Sequence, residues 1–394
     1  MKAAVLGAGG LGRTIALELS ADRRIDELVL MDRRGERSRA LQTIGRNVAV
    51  STHPVDVTDA ASLRRMLEGV DVAVNATLAD HNLRIMRACF EAGCGYVDTA
   101  AAAPIAAGEK WGVLEQLELD TAWQEGGRTA IISMGSDPGL SNVMARLATD
   151  RMARVTAIRI RWAATGSPDI EGFPLYSREM FIRDALSKPV VWDGTRLVEQ
   201  EIASGSEEFP FPDPVGPRRV HLFRHEEVLT LPQRLGKPVG WVDYKHAINP
   251  NLVRAIAELD ALGLLARERI VRLGDRAVPF RDAFLAAFPE PSTLIGPITG
   301  TLAIVVDVEG TSEDGSKRHV RAWTMMDHKE ANRRRGTTAE YYLTAAAATT
   351  GMILLATAKA PRHGVLVPED LPPDAVLQEL ETRNVKFHIE DVAS

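Results

Sequence analysis

The opening residues of the chain carry a glycine pattern that few folds can accommodate. A short apolar run, Ala3 to Leu6, predicts a buried strand, and G-x-G-x-x-G follows it before a helical segment from Arg13 to Leu19. In this pattern the first glycine allows a tight turn, the second lets the backbone approach a pyrophosphate, and the third lets helix and strand pack closely. The free N–H groups at the start of the helix then point towards the phosphates. The predicted cofactor contacts of this loop are Gly7, Gly9, Gly10, Leu11 and Gly12.

An acidic residue at the end of the second strand bears on the choice of cofactor. The apolar segment Glu27 to Met31 ends at Asp32, twenty residues after Gly12. A carboxylate at this distance accepts hydrogen bonds from the adenosine ribose, and it would repel a 2′-phosphate, so Asp32 favours NAD. Arg33 and Arg34 follow directly, and arginines in that place can hold the phosphate of NADP, although most charge runs are simply solvated. We therefore expect NAD, with NADP as the alternative.

Strands and helices go on alternating to about residue 140, which predicts βαβ units and a doubly wound parallel sheet in an α/β fold. The fourth strand ends at Asn75-Ala76-Thr77, and the fifth ends at Asp98. Because ligands bind at the carboxyl edge of such a sheet, we expect Asn75 near the nicotinamide ribose and Asp98 beside cofactor or substrate. The alternatives are an Asx turn or helix cap for Asn75 and a loop-capping carboxylate for Asp98.

The motif Asp137-Pro138-Gly139 opens the next predicted helix. Proline at the start of a helix, with a bare glycine beside it, leaves free N–H groups that suit a carboxylate or the nicotinamide amide. We therefore expect this turn to contact the substrate. The alternative is a plain turn that leads into a helix.

The pattern changes after residue 140. Val155 to Ala163 alternates as a strand does, and two long strands are predicted at Thr301 to Glu309 and His319 to Met326. These segments predict a second, mostly antiparallel domain that also contains helix. Because antiparallel sheets often leave one face or edge to be covered, we expect a homodimer built mainly by this domain.

Composition argues against several classes of protein. The formal net charge of −6 is spread over 394 residues, so nucleic acid is not an expected partner. Cys89 and Cys94 are separated by four residues, which is not a zinc or redox spacing, and we expect no metal. Residues 341–358 lack charge, but their Ala and Thr content favours a helix buried in protein over a membrane span. Since no signal peptide precedes the first strand, we expect a cytoplasmic location.

Several motifs together resemble the saccharopine dehydrogenase-like superfamily, and within it the L-lysine 6-dehydrogenase branch. Their order and spacing carry the resemblance, since only the glycine motif is specific by itself. The poorly matching stretches are 165–177, where substrate-side residues would lie, and 333–336. The matching pieces are Gly7-Ala8-Gly9-Gly10-Leu11-Gly12, Val74-Asn75-Ala76, Tyr96-Val97-Asp98, Asp137-Pro138-Gly139-Leu140-Ser141-Asn142, His225-Glu226-Glu227-Val228-Leu229-Thr230-Leu231-Pro232, Tyr244-Lys245 and Arg362-His363-Gly364-Val365-Leu366-Val367-Pro368-Glu369.

The resemblance implies a Rossmann domain, an inserted mixed α/β domain for substrate and dimer contacts, and a C-terminal segment that returns to the first domain. The expected limits are 1–140, 141–336 and 337–394, the last segment being helical. It also implies NAD or NADP, and chemistry at a carbon–nitrogen bond of an amino acid or amine. Asp56 and Val57 resemble the contact on the adenine side of the cofactor.

Three side chains are candidates for moving the proton in such a reaction: His225, Lys245 and Tyr176. His225 precedes Glu226 and Glu227, whose charges would raise its pKa. A lysine in a cleft can lose its proton and act as a base, and a tyrosine can donate through its hydroxyl. Glu226 or Glu227 would pair with a substrate ammonium. For each of them the alternative is a packed or solvated side chain.

The first expectation is therefore an NAD(P)-dependent dehydrogenase that removes a hydride from a carbon bearing an amino group, or that reduces the matching imine. Three other functions stay open. One is an opine- or saccharopine-type reductase that joins an amine to a carbonyl. The others are aminoalkyl transfer of the homospermidine synthase type, without net redox change, and a nucleotide sensor without turnover.

Overall fold

The first part of the chain interleaves strands and helices as the glycine pattern predicts. The computed structural model describes residues 1–39, 41, 48–105, 109–166, 175–293 and 298–392. The strands of this part are β1 (Lys2–Leu6), β2 (Glu27–Asp32), β3 (Ala49–Pro54), β4 (Val72–Asn75), β5 (Gly95–Asp98) and β6 (Thr129–Ile131). Its α-helices are α1 (Gly10–Ala21), α2 (Gly35–Arg39), α3 (Ala60–Leu67), α4 (Asn82–Ala92), α5 (Gly112–Leu117) and α6 (Asp120–Glu125).

These strands pair in parallel in the order β6-β5-β4-β1-β2-β3. The central strands β1 and β4 are buried almost throughout, as both faces of a doubly wound sheet are covered by helices. The chain runs outwards from β1 to β3 and then crosses back to β4. This reversal of direction leaves a crevice at the carboxyl ends of β1 and β4, which is where such sheets bind their ligands. The predicted Rossmann-type sheet is confirmed.

The second part is a mixed α/β region built around a larger sheet. Its strands are β7 (Arg154–Ala164), β8 (Val190–Trp192), β9 (Leu197–Glu199), β10 (Glu207–Pro210), β11 (Pro217–Leu222), β12 (Val242–His246), β13 (Ile270–Leu273), β14 (Arg276–Pro279), β15 (Thr301–Thr311) and β16 (Lys317–Asp327). Its α-helices are α7 (Leu140–Thr149), α8 (Arg178–Leu186), α9 (Glu227–Arg234), α10 (Pro250–Ala261), α11 (Phe280–Ala286) and α12 (His328–Arg335).

The main path of the second sheet runs β10-β11-β12-β7-β15-β16, and only the β7–β12 pair on it is parallel. The expected, largely antiparallel second domain is therefore confirmed. Successive side chains of a strand point to opposite faces, so Tyr244 and His246 of β12 lie on one face and Lys245 on the other. Tyr244 and His246 can therefore face a cleft that Lys245 on the same strand does not face.

The last part of the chain contributes to both sheets. It forms α13 (Ala339–Ala356), β17 (Gly364–Leu366), α14 (Pro373–Thr382) and β18 (His388–Asp391). Fifteen of the eighteen residues of α13 are buried, as its small side chains allow. β17 extends the first sheet beside β6, whereas β18 pairs with β16 in the second sheet. The segment predicted as helical over 337–394 thus also contains two strands, of which β17 lies in the first sheet and β18 in the second. The division of the chain into the three predicted domains stays a prediction. No helix in the described ranges is long and apolar enough to cross a membrane.

Candidate active site

A cleft of about 770 Å³ lies between the carboxyl edge of the first sheet and the facing side of the second. It brings together most of the residues that the sequence predicts for cofactor and substrate. The predicted residues that line it are Gly7, Gly9, Gly10, Leu11, Asp32, Arg33, Asp56, Val57, Asn75, Ala76, Thr77, Asp98, Asp137, Pro138, Tyr176 and His225.

The glycine loop at the start of α1 has the shape that a dinucleotide requires. Gly7 has φ +95°, a left-handed conformation that favours glycine. A Cβ on Gly12 would lie 1.7 Å from the Gly7 carbonyl oxygen, so Gly12 supports the turn from behind without lining the cleft. A Cβ on Gly9, in contrast, would meet nothing within 4 Å. The open space above Gly9 is where the backbone can approach a pyrophosphate, so these residues fit the cofactor that they predict.

Asp32 is held in one orientation at the adenosine end of the cleft. Its Oδ2 accepts a hydrogen bond of 2.8 Å from the Ala8 amide, and its Oδ1 accepts one of 2.6 Å from the Arg34 amide. Both oxygens keep a further lone pair that can accept from ribose hydroxyls. Arg33, Arg34 and Arg37 line the same end, where a 2′-phosphate would lie.

We expect Asp32→Ala to weaken NAD binding roughly ten- to a hundred-fold, because a hydrogen bond to a charged group contributes about 1.5–3 kcal/mol. NADP binding should improve, since Arg33 and Arg34 would face no competing carboxylate. Titration of both cofactors by fluorescence measures the two effects. A wild-type protein that prefers NADP, or a variant with unchanged NAD affinity, would contradict the role of Asp32.

Asn75 shapes the loop that follows β4. Its Nδ2 donates to Asn82 Oδ1 at 2.8 Å, and its Oδ1 accepts from the Thr77 amide at 2.9 Å. The second bond is the Asx turn that the sequence left as an alternative. Asn75 therefore lines the cleft while both ends of its amide are engaged by the protein.

Asp98 is a buried carboxyl group at the end of β5. It accepts hydrogen bonds from the Ser133 amide at 2.7 Å, from Gln116 Nε2 at 2.6 Å and from the Tyr96 hydroxyl at 2.9 Å. Burial raises its pKa to about 7 despite these bonds, which favour the charged form. This carboxyl group thus joins the loop after β6 to helix α5 at the carboxyl edge of the sheet, where Asp98 lines the cleft.

His225 enters the cleft from the second domain with a carboxylate behind it. Its Nδ1 lies 2.8 Å from Glu227 Oε2, and its ring stacks on Tyr244 with centroids 3.5 Å apart. Burial would lower the pKa of His225, but the charge and hydrogen bond of Glu227, together with the charge of Asp137, raise it to about 9. His225 is therefore a cation at neutral pH, with Nε2 as the ring nitrogen left for a ligand.

Two carboxyl groups from distant parts of the chain meet beside this histidine. Asp137 Oδ1 and Glu340 Oε1 lie 2.9 and 3.0 Å from the same atom, Ser136 Oγ, and the Tyr244 hydroxyl donates to Asp137 Oδ2. Burial raises the pKa of Asp137 to about 6, although the His225 charge opposes the shift. Burial and the Asp137 charge raise the pKa of Glu340 to about 8. The site thus holds two acids that share one hydroxyl.

Tyr176 also lines the cleft, but its hydroxyl is engaged. It donates to Asp184 Oδ2 at 2.8 Å, and burial and the Asp184 charge raise its pKa well above the ordinary value. Asp184 in turn lies 3.4 Å from an Arg224 guanidinium nitrogen. Tyr176 is therefore a neutral donor held by a buried acid, and its role as a proton carrier stays a prediction.

Lys245 does not reach the cleft, so its prediction as a proton carrier is wrong. It lies on β12 between Tyr244 and His246, which both line the cleft, and alternation turns it to the opposite face. There its Nζ donates to Glu207 Oε2 at 2.8 Å. The two-residue alternation of a strand would have shown that Lys245 faces away from the cleft, once it is known that Tyr244 faces into it.

Glu226 is likewise removed from the substrate, and its predicted contact with an ammonium is wrong. It is 1% exposed and does not line the cleft. Its Oε1 accepts from the Ala101 amide at 2.7 Å and the Ser133 hydroxyl at 3.0 Å, and its Oε2 lies 3.1 Å from Arg224. Glu226 thus fastens the second domain to two loops of the first.

The backbone of Gly139 is not available to a ligand either. Its N–H donates to Asn142 Oδ1 at 2.9 Å, and the next amide, of Leu140, donates to the Gly135 carbonyl at 3.0 Å. The predicted set of free N–H groups at this helix start is therefore wrong, and Asp137 and Pro138 are the residues of the motif that line the cleft.

Glu340 is a residue of the site that the sequence analysis did not predict.

Comparison with known proteins places this architecture in one family. The model of the saccharopine dehydrogenase NADP binding domain matches residues 3–131, and that of the saccharopine dehydrogenase C-terminal domain matches residues 135–385. The carboxyaminopropylagmatine dehydrogenase of Synechocystis sp. is 24% identical over 394 residues, covering 98% of this chain and 97% of that protein. The carboxynorspermidine synthase of Vibrio alginolyticus is 24% identical over 408 residues, covering 98% and 96%.

Solved structures share the fold over the whole chain. Saccharopine dehydrogenase (L-Glu forming) from Saccharomyces cerevisiae superimposes with a TM-score of 0.71 at 13% identity, covering 100% of both chains. The homospermidine synthase of Legionella pneumophila, in complex with NAD, gives 0.68 at 15% identity, covering 99% of this chain and 91% of that one. Together with the two domain matches, the cleft and its glycine loop show that this chain belongs to the saccharopine dehydrogenase family of NAD(P)-dependent oxidoreductases.

Proposed function

We propose that the protein joins a cationic primary amine to a carbonyl compound by NAD(P)H-dependent reduction, giving a secondary amine. The observation that carries this is the position of the acid pair Asp137 and Glu340, with the cationic His225 beside it, in the cleft that the glycine loop opens. Carboxyl groups attract an ammonium, and a cationic imidazole suits a carbonyl oxygen or a carboxylate. NAD(P)H, when bound, supplies the hydride.

The names of the relatives support reductive condensation over simple deamination. Both are named for carboxylated polyamines, one as a dehydrogenase and one as a synthase. Their names describe products with several amino groups and a carboxylate, and the cleft offers groups of both charges. The opine-type condensation that the sequence left as an alternative is therefore the better-supported function. L-Lysine 6-dehydrogenase activity stays a prediction that the same assay tests.

A screen at 340 nm tests the proposal. Norspermidine, agmatine, lysine and simple diamines would each be mixed with short aldehydes or 2-oxo acids that carry a carboxylate, with either reduced cofactor. We expect oxidation of NAD(P)H only when amine and carbonyl are both present. Reduction of NAD⁺ by lysine alone would support the lysine dehydrogenase instead. Amine alkylation without any change at 340 nm would support aminoalkyl transfer.

We also expect a homodimer formed through the outer face of the second sheet. On this face Trp323 and Met325 of β16 are partly exposed, and they pack against a buried cluster that contains Val305 of β15 and Phe209. Light scattering at micromolar concentration should give about twice the chain mass of 42.9 kDa. Trp323→Glu should shift the mass towards one chain, since a charge in an apolar contact is costly. A wild-type protein of single-chain mass would contradict this.

A further inference from the structure

We propose that Glu340, Ser136 and Asp137 form a proton-sharing group that takes the proton of the substrate ammonium and hands it to the departing oxygen. This assignment rests on the proposed condensation, because only that reaction needs a proton moved from nitrogen to oxygen. It gives Glu340, the first-turn residue of α13, a catalytic role.

The contacts at Ser136 favour a proton on one of the two acids. Ser136 has a single hydroxyl proton, yet Asp137 Oδ1 and Glu340 Oε1 both lie within hydrogen-bond distance of its oxygen. Thr344 Oγ1 donates to the same oxygen at 3.1 Å. Ser136 can therefore give a full hydrogen bond to only one carboxylate, and the second contact becomes a full hydrogen bond when the other acid carries a proton and donates it to the Ser136 oxygen. A proton on either acid can pass to the other through this hydroxyl.

Glu340 also keeps an acceptor oxygen that lacks a hydrogen bond of normal geometry among the described residues. The residue is 8% exposed and lines the cleft, and its Oε2 has no hydrogen-bond partner of normal geometry among the described residues. The Trp162 side chain lies close enough to lower the pKa of Glu340, but it does not form a hydrogen bond of normal geometry with Oε2. Buried polar atoms in native proteins are almost always paired. An unpaired carboxyl oxygen beside a substrate cleft indicates that a ligand donor, such as an ammonium, completes it.

The surroundings keep the group poised between its two states. Asp137 faces the cation of His225 and the hydroxyl of Tyr244, which favour its charge, and Glu227, which opposes it. The charge of Asp137 raises the pKa of Glu340, and the charge of His225 lowers it. A group that exchanges protons near the working pH is the most effective general acid–base.

In the condensation of amine and carbonyl, one carboxylate of this group carries a proton from nitrogen to oxygen twice. It first takes a proton from R–NH₃⁺, and the nitrogen lone pair attacks the carbonyl carbon while the C=O π pair moves to oxygen. The carboxyl group protonates that oxygen and becomes a carboxylate again. It then takes a second proton from nitrogen and passes it to the hydroxyl, which leaves as water. The product is R–NH⁺=CHR′, and the carboxylate is unchanged overall.

Glu340→Gln tests the assignment, with Glu369→Gln as the matched control. Glu369 is also a buried carboxyl group, bonded to Asn142 at 2.9 Å, but it lies outside the cleft. We expect Glu340→Gln to lower kcat roughly a hundred-fold or more, to flatten the pH profile between about pH 6 and 8, and to leave NADH affinity within about twofold. Glu369→Gln should keep the wild-type profile. If wild type condenses amine and carbonyl but Glu340→Gln keeps its kcat and pH profile, the assignment is wrong and the proposed function stands.

A binding measurement tests the role of Glu340 separately from the proposed condensation. Norspermidine would be titrated into the complex with NADH by calorimetry from pH 5.5 to 8.5. The pKa values of Asp137 and Glu340 are raised to about 6 and 8, so their charge is lost as pH falls, and wild-type affinity should fall with it. Glu340→Gln should bind more weakly and with a flatter pH dependence. Equal binding by wild type and Glu340→Gln at every pH would overturn the assignment, whether or not turnover is found.

Discussion

Gly9→Ala should leave Tm unchanged and abolish most of the affinity for NAD(P). A Cβ at Gly9 meets nothing within 4 Å in the protein itself, so the substitution fits the fold without strain. The methyl group would occupy the space in which a pyrophosphate approaches the backbone. Forcing one methyl group into a close contact costs about 1–3 kcal/mol, which corresponds to a loss of roughly 5- to 150-fold in affinity. Calorimetric titration with NADH measures this loss.

Gly12→Ala is the matched control for a structural glycine. Its Cβ would lie 1.7 Å from the Gly7 carbonyl oxygen, so strand and helix must separate. We expect the free energy of unfolding to fall by about 3 kcal/mol or more, with cofactor binding lost as a consequence. The placement of the cofactor above Gly9 would be contradicted if Gly9→Ala bound NADH as tightly as wild type. It would also be contradicted if Gly9→Ala lost as much stability as Gly12→Ala.

His225→Asn should lower kcat by roughly 10²–10⁴-fold while cofactor affinity changes little, because His225 approaches the cleft from the second domain. Its pKa of about 9 means that the cation predominates below that pH. The reductive rate of wild type should therefore decline as pH rises through about 9, and the variant should lose this decline. Profiles of kcat against pH for both proteins test the prediction.

Glu227→Gln tests in a second way whether the charge of His225 controls the reductive rate. The Glu227 charge is the main factor that raises the pKa of His225, so its removal should move the decline of the rate towards neutral pH. Glu226→Gln is the matched control, since Glu226 does not bond to the imidazole and should shift the decline less. Equal shifts from the two variants, or no shift from either, would contradict a specific effect of Glu227 on the pKa of His225.

The parts of the site that sequence could predict are those set by local geometry. The turn from Gly7 to Gly12 joins a strand to a helix within a few residues, so its pattern is visible in the chain. Asp32 and Asp98 follow strands that are parallel, and the edge they share follows from that alone. Asp32 and Asp98 line the observed cleft, as does the turn apart from Ala8 and Gly12.

The other parts of the site depend on packing between residues that are distant in the sequence. Lys245 and Tyr244 are neighbours in sequence, and only the orientation of β12 in the second sheet decides that the tyrosine faces the cleft. Glu226 and Glu227 are similar acids at the start of α9, but one bonds to loops of the first domain and the other to His225. Glu340 belongs to a helix some two hundred residues after Asp137, and no local pattern brings them together.

Transfer of deuterium from 4,4-dideuterated NAD(P)H tests the proposed condensation most directly. The protein would be incubated with this cofactor, norspermidine or another amine from the screen, and a carbonyl partner, and the product would be analysed by mass spectrometry. We expect a secondary amine that carries one deuterium on the carbon of the new C–N bond. An alkylated amine without deuterium, or an alcohol that carries the label with no C–N product, would contradict it.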